Sequence, residues 1–398
     1  MNHMPVSNEH PDSSVNTAIP VGSERPAMTS FLETVHVLES YVIQPPRDDP
    51  YFSLFARGTL DALEREPDVA EGIQEAFDQR DIGGSYGAKL LLGEVQVECI
   101  NDFSYPYNDS EAYAQELTYL LTDSQKRQQT IDSLATHELQ STVSERYKTL
   151  RLITSMYEER VGKRPTVFDP CSGLNHGLKQ HAGLWPFGLV EVSTEELSEY
   201  EHAMLETEIN VIIWHYREAP MRYGLGVDKQ SQTPRSIARA AADSFYPGEL
   251  KDPIQLERFH FLQEAQPEVV AFQDGVDMAE ESLLPQTPAG GFDIGFISMA
   301  LYQHDDAARK KILDNVRSNL ADDGVLVVQE FAYPDSETES GLTFLHNWFS
   351  KEYPCQTMVF DMQKPNDNFQ TLFEWTDGRI TNMRPSELAL ELLARKPF

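Results

Sequence analysis

The sequence predicts an α/β protein: a parallel, doubly wound sheet preceded by an all-helical region. Two observations carry that prediction. From about residue 29 to residue 161, apolar side chains recur at three- and four-residue spacing. From Pro165 onward, short apolar runs alternate with helical stretches, the order that builds βαβ units. Size supports it: 398 residues with 40% hydrophobic content can bury a large core and suffice for two domains.

Residues 1–28 are polar and rich in Pro, Ser and Asn, with neither the basic start nor the apolar stretch of a secretory signal, and read as a disordered tail. "SFLETVHVLESYV" (30–42) aligns Phe31, Val35, Leu38 and Val42 on one face. "YFSLFARGTLDALERE" (51–66) does the same with Phe52, Phe55, Leu60 and Leu63. "SYGAKLLLGEVQVECI" (85–100) and "SEAYAQELTYLLT" (110–122) continue the series, broken at "QPPRDDP", "RDIGGS" and "SYPYND" by Pro, Gly and Asx content. A helical domain of five to seven helices is expected over 29–150.

The strand candidates are "TVFD" (166–169), "FGLVEV" (187–192), "EVVAFQD" (268–274), "FDIGFIS" (292–298) and "GVLVVQEF" (324–331). Before the last lies a helix whose Ala308, Ile312, Val316 and Leu320 form a stripe. Right-handed crossovers would place a ligand at the carboxyl ends of these strands. Residues 195–265 exceed one crossover. They contain a long helix in which "NVIIW" has strand character, a loop "MRYGLGVDKQSQTP" and a helix "RSIARAAADSF". This stretch is expected to be a helical insertion over the sheet edge, inside a second domain spanning 151–398.

Charge narrows the function classes. There are 64 acidic against 32 basic residues, a net charge of −32, and residues 1–150 alone hold 25 Asp/Glu against 10 Lys/Arg. Such a chain repels phosphate backbones, and no dense Lys/Arg cluster offsets this, which argues against a nucleic-acid partner. No apolar run approaches the ~20 residues a membrane span needs. Cys99, Cys171 and Cys355 lie far apart and form no CxxC pair, so neither a disulfide framework nor a zinc site is indicated. A reduced cytoplasm is the expected setting.

The chemistry concentrates in "VFDPCSGLNHG" (167–177), a strand ending in Asp169 and followed by a turn of small residues. Gly173 and Gly177, without a Cβ, permit close approach of a ligand to the backbone. Twenty-two residues after Asp169 comes Glu191, an acid at the tip of the next predicted strand, where a carboxylate can take both hydroxyls of a ribose. Asp274 closes the third strand and can accept from an adenine amino group. Asp228 in "YGLGVDKQS" is the second candidate for the ribose acid. Its 59-residue gap from Asp169 is long for one ordinary crossover, which favours Glu191. If Asp228 holds that place, the insertion lies between the first two strands. His176 could serve as a general base or as a turn-capping residue.

These strand-end acids, the glycine turn and "FDIGFISMALYQH…ILDNVRSNLADDGVLVVQEF" resemble the class I S-adenosylmethionine (SAM)-dependent methyltransferases, which bind SAM on a Rossmann-like sheet. "ELLARKP" is similar to the final strand of that fold, although its spacing also suits a helix. A narrower likeness is to the 16S ribosomal RNA methyltransferases of aminoglycoside resistance. "STVSERYKTL" (141–150) is similar to their Ser-Thr-x-x-Glu-Arg helix, and "DPCSGLNH" to their first-strand turn. Ser172, His176 and Glu191 depart from that pattern, and an acidic N-terminal region replaces the basic one that grips RNA.

The resemblance implies SAM as cofactor, held by Arg146, Asp169, Ser172, Gly173, Asn175, Glu191, Asp274 and Ser298. Arg146 would reach its carboxylate and Asn175 would support the turn. Tyr302 and His304 follow the fourth strand, where methyl-transfer sites hold polar groups. The implied reaction is in-line displacement at the sulfonium methyl by an O, N or C nucleophile of a small molecule or protein. Orientation supplies much of the rate, so no fixed catalytic residue is assigned. Alternatives are ribosomal RNA methylation, opposed by the charge, and a non-catalytic SAM sensor or scaffold.

Overall fold

The computed structural model describes residues 30–45, 49–78, 84–101, 109–136, 142–194, 197–214, 220–245, 248–249, 252–301, 304–331, 355–361, 369–376 and 379–394. Six helices come first: α1 (Ser30–Ile43), α2 (Pro50–Arg65), α3 (Pro67–Asp78), α4 (Gly84–Asn101), α5 (Ser110–Thr122) and α6 (Ser124–Thr136). They form because their apolar stripes have one another to cover. Leu38, Phe55, Ile73, Leu91, Leu117 and Leu134 meet in one buried cluster, each worth roughly 1.5–3 kcal/mol of transfer free energy. Asp49 caps α2 by accepting from the Tyr51 and Phe52 N–H groups, with Pro50 at the first helical position.

A 3-10 turn, Ser144–Tyr147, leads into α7 (Lys148–Val161), which ends at Gly162 in the left-handed region. The boundary expected at residue 150 therefore falls inside a helix. Leu150 and Ile153 of that helix pack with strand residues, so its first turn belongs to the α/β part.

Next come β1 (Thr166–Asp169), α8 (His176–His181), β2 (Glu191–Val192), α9 (Glu199–Trp214), β3 (Tyr223–Asp228), α10 (Pro234–Ser244), α11 (Pro253–Glu264) and β4 (Val270–Asp274). The chain closes with β5 (Phe292–Ser298), α12 (Asp306–Ser318), β6 (Leu320–Phe331), β7 (Cys355–Asp361), β8 (Gln370–Trp375), β9 (Asn382–Pro385) and α13 (Glu387–Ala394).

These strands form one nine-stranded sheet, ordered β2-β9-β8-β7-β6-β5-β1-β3-β4. β4, β3, β1, β5 and β6 are parallel; β7, β8 and β9 continue as an antiparallel meander, and β2 adds in parallel to β9. This is a mixed, mainly parallel Rossmann-like sheet following an N-terminal helical region. Strand alternation separates its two faces. Val167, Ile294, Phe296 and Val327 meet α7, α8, α9 and α13 on one side. Phe168, Ile297, Leu326 and Val328 meet α12 on the other.

Three expectations change. Residues 195–265 are not an insertion outside the sheet, because they supply β3, the neighbour of β1. Glycine-rich "YGLGVD" pairs with β1 through Tyr223–Gly226 and with β4 through Gly224–Asp228, while "NVIIW" stays helical because Ile209 and Ile213 reach the core only at helical spacing. "ELALELLA" is α13 and not a strand; Ala389 and Leu393, four apart, face Trp375 and Phe373 in the core.

Helix α4 joins the helical region to the sheet. Its Leu90, Leu91 and Leu92 serve the N-terminal cluster, whereas Val97 packs with Ala240 and Ala241 of α10. At that seam Glu94 is buried, pairing with buried Arg239, with half-buried Arg235 at 3.4 Å, and with the Ser133 hydroxyl at 2.6 Å. Arg239→Ala should cost about 3 kcal/mol, because a buried carboxylate loses its closest cation. Arg235→Ala should cost well under half of that. Urea midpoints of the two variants test this; equal values would remove Glu94–Arg239 as the join.

Candidate functional site

β1, β3 and β4 lie side by side, and each ends in an aspartate. Asp169 closes β1, while Asp228 and Asp274 are partners in register at the ends of β3 and β4. The turn after β1 is tied to β3 rather than to β2. The Ser172 N–H donates to the Val227 carbonyl at 3.0 Å and its hydroxyl to the same oxygen at 3.2 Å. The Gly173 N–H donates to Asp228 Oδ2 at 3.0 Å. Asp228 Oδ1 accepts from Gln230 N–H at 2.9 Å, which aims the carboxylate across the turn. Gly173 has φ +57°, a backbone conformation that suits glycine. Asn175 is also left-handed, at φ 62°, and its side-chain NH2 reaches the Ala271 carbonyl of β4 at 3.3 Å.

The structure thus brings Asp169, Ser172, Gly173, Asn175 and Asp274 to one end of the sheet, with Asp228 among them. It does not bring Glu191. That residue lies at the opposite edge, exposed, in a two-residue strand paired with β9, and accepts from Asn382 at 3.2 Å. Of the two candidate acids it is Asp228, on β3, and not Glu191 that stands beside β1. The 59-residue separation of Asp169 and Asp228 holds a detour, in which α8 leads to β2 at the far edge and α9 leads back to β3 beside β1. A crossover rule based on loop length misses such a detour.

Above the turn lies a narrow cleft whose cavity volume is about 10 Å³, room for no more than about one water molecule, bordered by Thr142, Arg146, Tyr147, Cys171, Ser172 and Ser298. Ser298 ends β5, and its buried hydroxyl has no hydrogen-bond partner among the described residues. Asp274 stands outside this cleft on an exposed rim and accepts from the Gln232 N–H at 3.2 Å.

Tyr147, which the sequence reading passed over, is central. Its phenol donates to Asp169 Oδ2, and its ring lies so close to Gly177 that a Cβ there would stand 1.9 Å from a ring carbon. The space left by Gly177 is therefore taken by Tyr147, not left for a ligand. The sequence signal was its position, directly after the Glu-Arg pair of "STVSERYKTL". Burial pushes the Asp169 carboxyl up to about 7; Tyr147 and the Cys171 N–H at 3.2 Å pull against this, and Asp228 adds to the rise. Burial, then Asp169, pushes the Tyr147 phenol well above its usual value. The Cys171 thiol is raised by burial and by both aspartates, which makes it a poor nucleophile.

His176 is buried, bonded through Nε2 to Gln263 at 2.9 Å and packed edge-on to Phe259. Burial lowers it to about 3, so it is neutral at pH 7 and holds α8 against α11. His304 is half-buried after β5. Tyr302 lies outside the described residues.

No family model matches the chain, and neither does any curated protein. Among solved structures, it is similar to the trans-methyltransferase CalH in complex with SAH, with 13% identity over 80% of this chain and 72% of that one, TM-score 0.30. It is also similar to the plantazolicin methyltransferase BamL in complex with a triazolic desmethylPZN analogue and SAH. There the identity is 11%, over 65% of this chain and 66% of that one, with a TM-score of 0.26. The pyocyanin biosynthetic protein PhzM follows at 17% identity over 77% of this chain and 62% of that one, TM-score 0.25. The narrower resemblance to ribosomal RNA methyltransferases gains no support from these comparisons.

Two outcomes follow from the Tyr147 geometry. Gly177→Ala should destabilise the protein strongly, and by at least about 1 kcal/mol less in a Tyr147→Ala background; a double-mutant cycle in urea reads the coupling. A zero coupling would mean that the ring is not fixed against Gly177. Asp169 has a folded value near 7 against about 3.9 when unfolded. Its contribution to stability is complete below about pH 4 and declines as pH rises to about 7. Asp169→Asn should flatten the fall of Tm across that window.

Proposed function

We propose that this chain is a SAM-dependent methyltransferase acting on a small-molecule or protein acceptor. The observation that carries the reading is the row of Asp169, Asp228 and Asp274 at the carboxyl ends of three adjacent parallel strands, beside a glycine turn. Ligands of open α/β sheets bind at that end, where the strand order changes direction. Here the change falls at β1, whose neighbours are β3 and β5.

The residues suit the group. The hollow itself, about 10 Å³, is far below the roughly 300–1,000 Å³ of small-molecule sites, so the reading rests on the donors and acceptors around it and not on its size. In this reading Asp169 and Ser298 hold the methionine ammonium and Arg146 its carboxylate. Asp228 takes the ribose hydroxyls, and Asp274, on the open rim, takes the adenine amino group. Ser172, Gly173 and Asn175 shape the turn. When bound, SAM supplies an electrophilic methyl on a sulfonium. The chain's own part is positioning: Ser298, at the end of β5, faces the cleft where an acceptor would enter. His176, neutral and engaged with Gln263, takes no proton.

Titration calorimetry of SAM into the full chain tests the reading. The wild type should bind, Asp228→Asn should raise Kd by roughly tenfold to a hundredfold through loss of charge-assisted hydrogen bonds, and Glu191→Ala should leave it unchanged. No binding to the wild type would end the proposal, and sensitivity to Glu191 instead of Asp228 would end the assignment.

A further inference from the structure

Helix α9 carries a row of exposed residues on the side turned away from the core. Tyr200, Met204, Thr207, Val211 and Trp214 stand four, three, four and three residues apart, the spacing of a coiled-coil seam. Tyr200 is 74% exposed, Met204 51%, Val211 57% and Trp214 55%. The opposite face does the packing: Ile209 and Ile213 are in the core, with Leu205 and Ile212 against it. Glu206 accepts from the Val192 N–H at 3.1 Å, and His202 bonds the Val192 carbonyl. Single exposed apolar residues need no explanation, but a row at seam spacing along four turns does.

We propose that α9 is a homodimerisation helix, two copies pairing antiparallel about a twofold axis through Thr207. The sequence is suited to this reversal, because Thr207 lies midway between Tyr200 and Trp214. Reversal sets Tyr200 of one copy against Trp214 of the second and Met204 near Val211. Thr207, small and exposed, stands at the crossing and lets the two backbones approach.

Area supports the pairing. Tyr200 and Trp214 alone expose about 250 Å². With Met204, Val211 and Leu189, which is 67% exposed, the patch reaches on the order of 500 Å². Leu189 borders the seam because Asn210 bonds both the N–H and the carbonyl of Val190, each at 2.8 Å. Two such patches bury about 1,000 Å², the lower bound for a specific interface.

The flanks set a sign. On one side stand Ala203 and Asn210; on the other stand Glu201 and Glu208, and α9 has no Lys or Arg. Pairing brings Glu208 near its own copy, in a protein of net charge −32. The dimer must therefore tighten as salt screens that repulsion.

Sedimentation equilibrium of the full chain at low and high NaCl is the test. The expected result is a monomer–dimer equilibrium that shifts toward dimer with salt. Met204→Glu, at an exposed position, should raise the dimerisation Kd at least about tenfold with an unchanged circular dichroism spectrum. Thr207→Cys should form an intermolecular disulfide under mild oxidation where the wild type forms none. A monomer at every salt concentration would overturn the proposal, as would a dimer indifferent to Met204→Glu. So would a monomer that binds a synthetic Leu/Lys amphipathic helix ever more weakly as salt rises, which would make the stripe a seat for a basic partner.

Discussion

The structure around the cleft depends on one buried carboxylate, Glu145. It accepts from Lys148 at 3.0 Å, Arg258 at 2.5 Å, the Gly188 N–H at 3.1 Å and the Gln180 side chain at 3.2 Å. Burial pushes its pKa up, but Lys148 and Arg258 outweigh burial and hold it below the usual range. A buried charge is tolerated only when its lone pairs are taken, and here they are. The four donors come from α7, α11, the loop after α8 and α8 itself. Lys148 extends the tie to the Arg379 and Ile380 carbonyls before β9, at 3.0 and 3.1 Å. Removing the carboxylate would leave two buried cations facing each other.

From that node the position of Tyr147 follows. Two residues along a 3-10 turn, its ring is set on Gly177 and its phenol on Asp169, while Phe296 packs against it at 4.9 Å between ring centroids. Tyr147 thereby connects the helical approach to the sheet with the acid at the tip of β1. Asp169 and Asp228 consequently differ, although both are buried. Asp169 is satisfied mainly by a phenol and is raised toward neutrality. Asp228 accepts from two backbone N–H groups and is fixed by the turn itself. One acid is sensitive to its surroundings near neutral pH, and the other is structurally preset.

Much of this was legible in the sequence, for local reasons. "TVFD" and "FDIGFIS" are strands over their whole predicted lengths, because both are buried β-branched and aromatic runs bounded by turn residues. The helices α1, α2, α4 and α5 carry their signal in apolar spacing and caps. What was not legible is non-local. Whether Glu191 or Asp228 stands beside Asp169 depends on which strand pairs with β1, and both strings look alike in isolation. "YGLGVD" reads as a loop because of its glycines, yet Gly226 is what lets Ser172 and Asn175 of the β1 turn pack onto β3. Asp293 is similar: it opens β5 and accepts from Lys163, Tyr157 and the Thr166 N–H at 2.7–2.9 Å, a set of partners scattered along the sequence.

The row of acids also discriminates among ligands that Rossmann-like sheets take. A dinucleotide places its pyrophosphate at the N-terminus of the helix after β1, where free N–H groups and the helix dipole favour negative charge. Here that helix is α8, only six residues long, and the turn before it is flanked by two buried aspartates. The Gly173 N–H, which would meet a phosphate, is already committed to Asp228. In a chain of net charge −32, nothing in this turn compensates a pyrophosphate. A ligand with an ammonium and a sulfonium at this end of the sheet meets the opposite field: two carboxylates, one of them near its titration point, in a narrow cleft of low dielectric. The electrostatics of the turn therefore favour a cationic amino-acid portion over a phosphate.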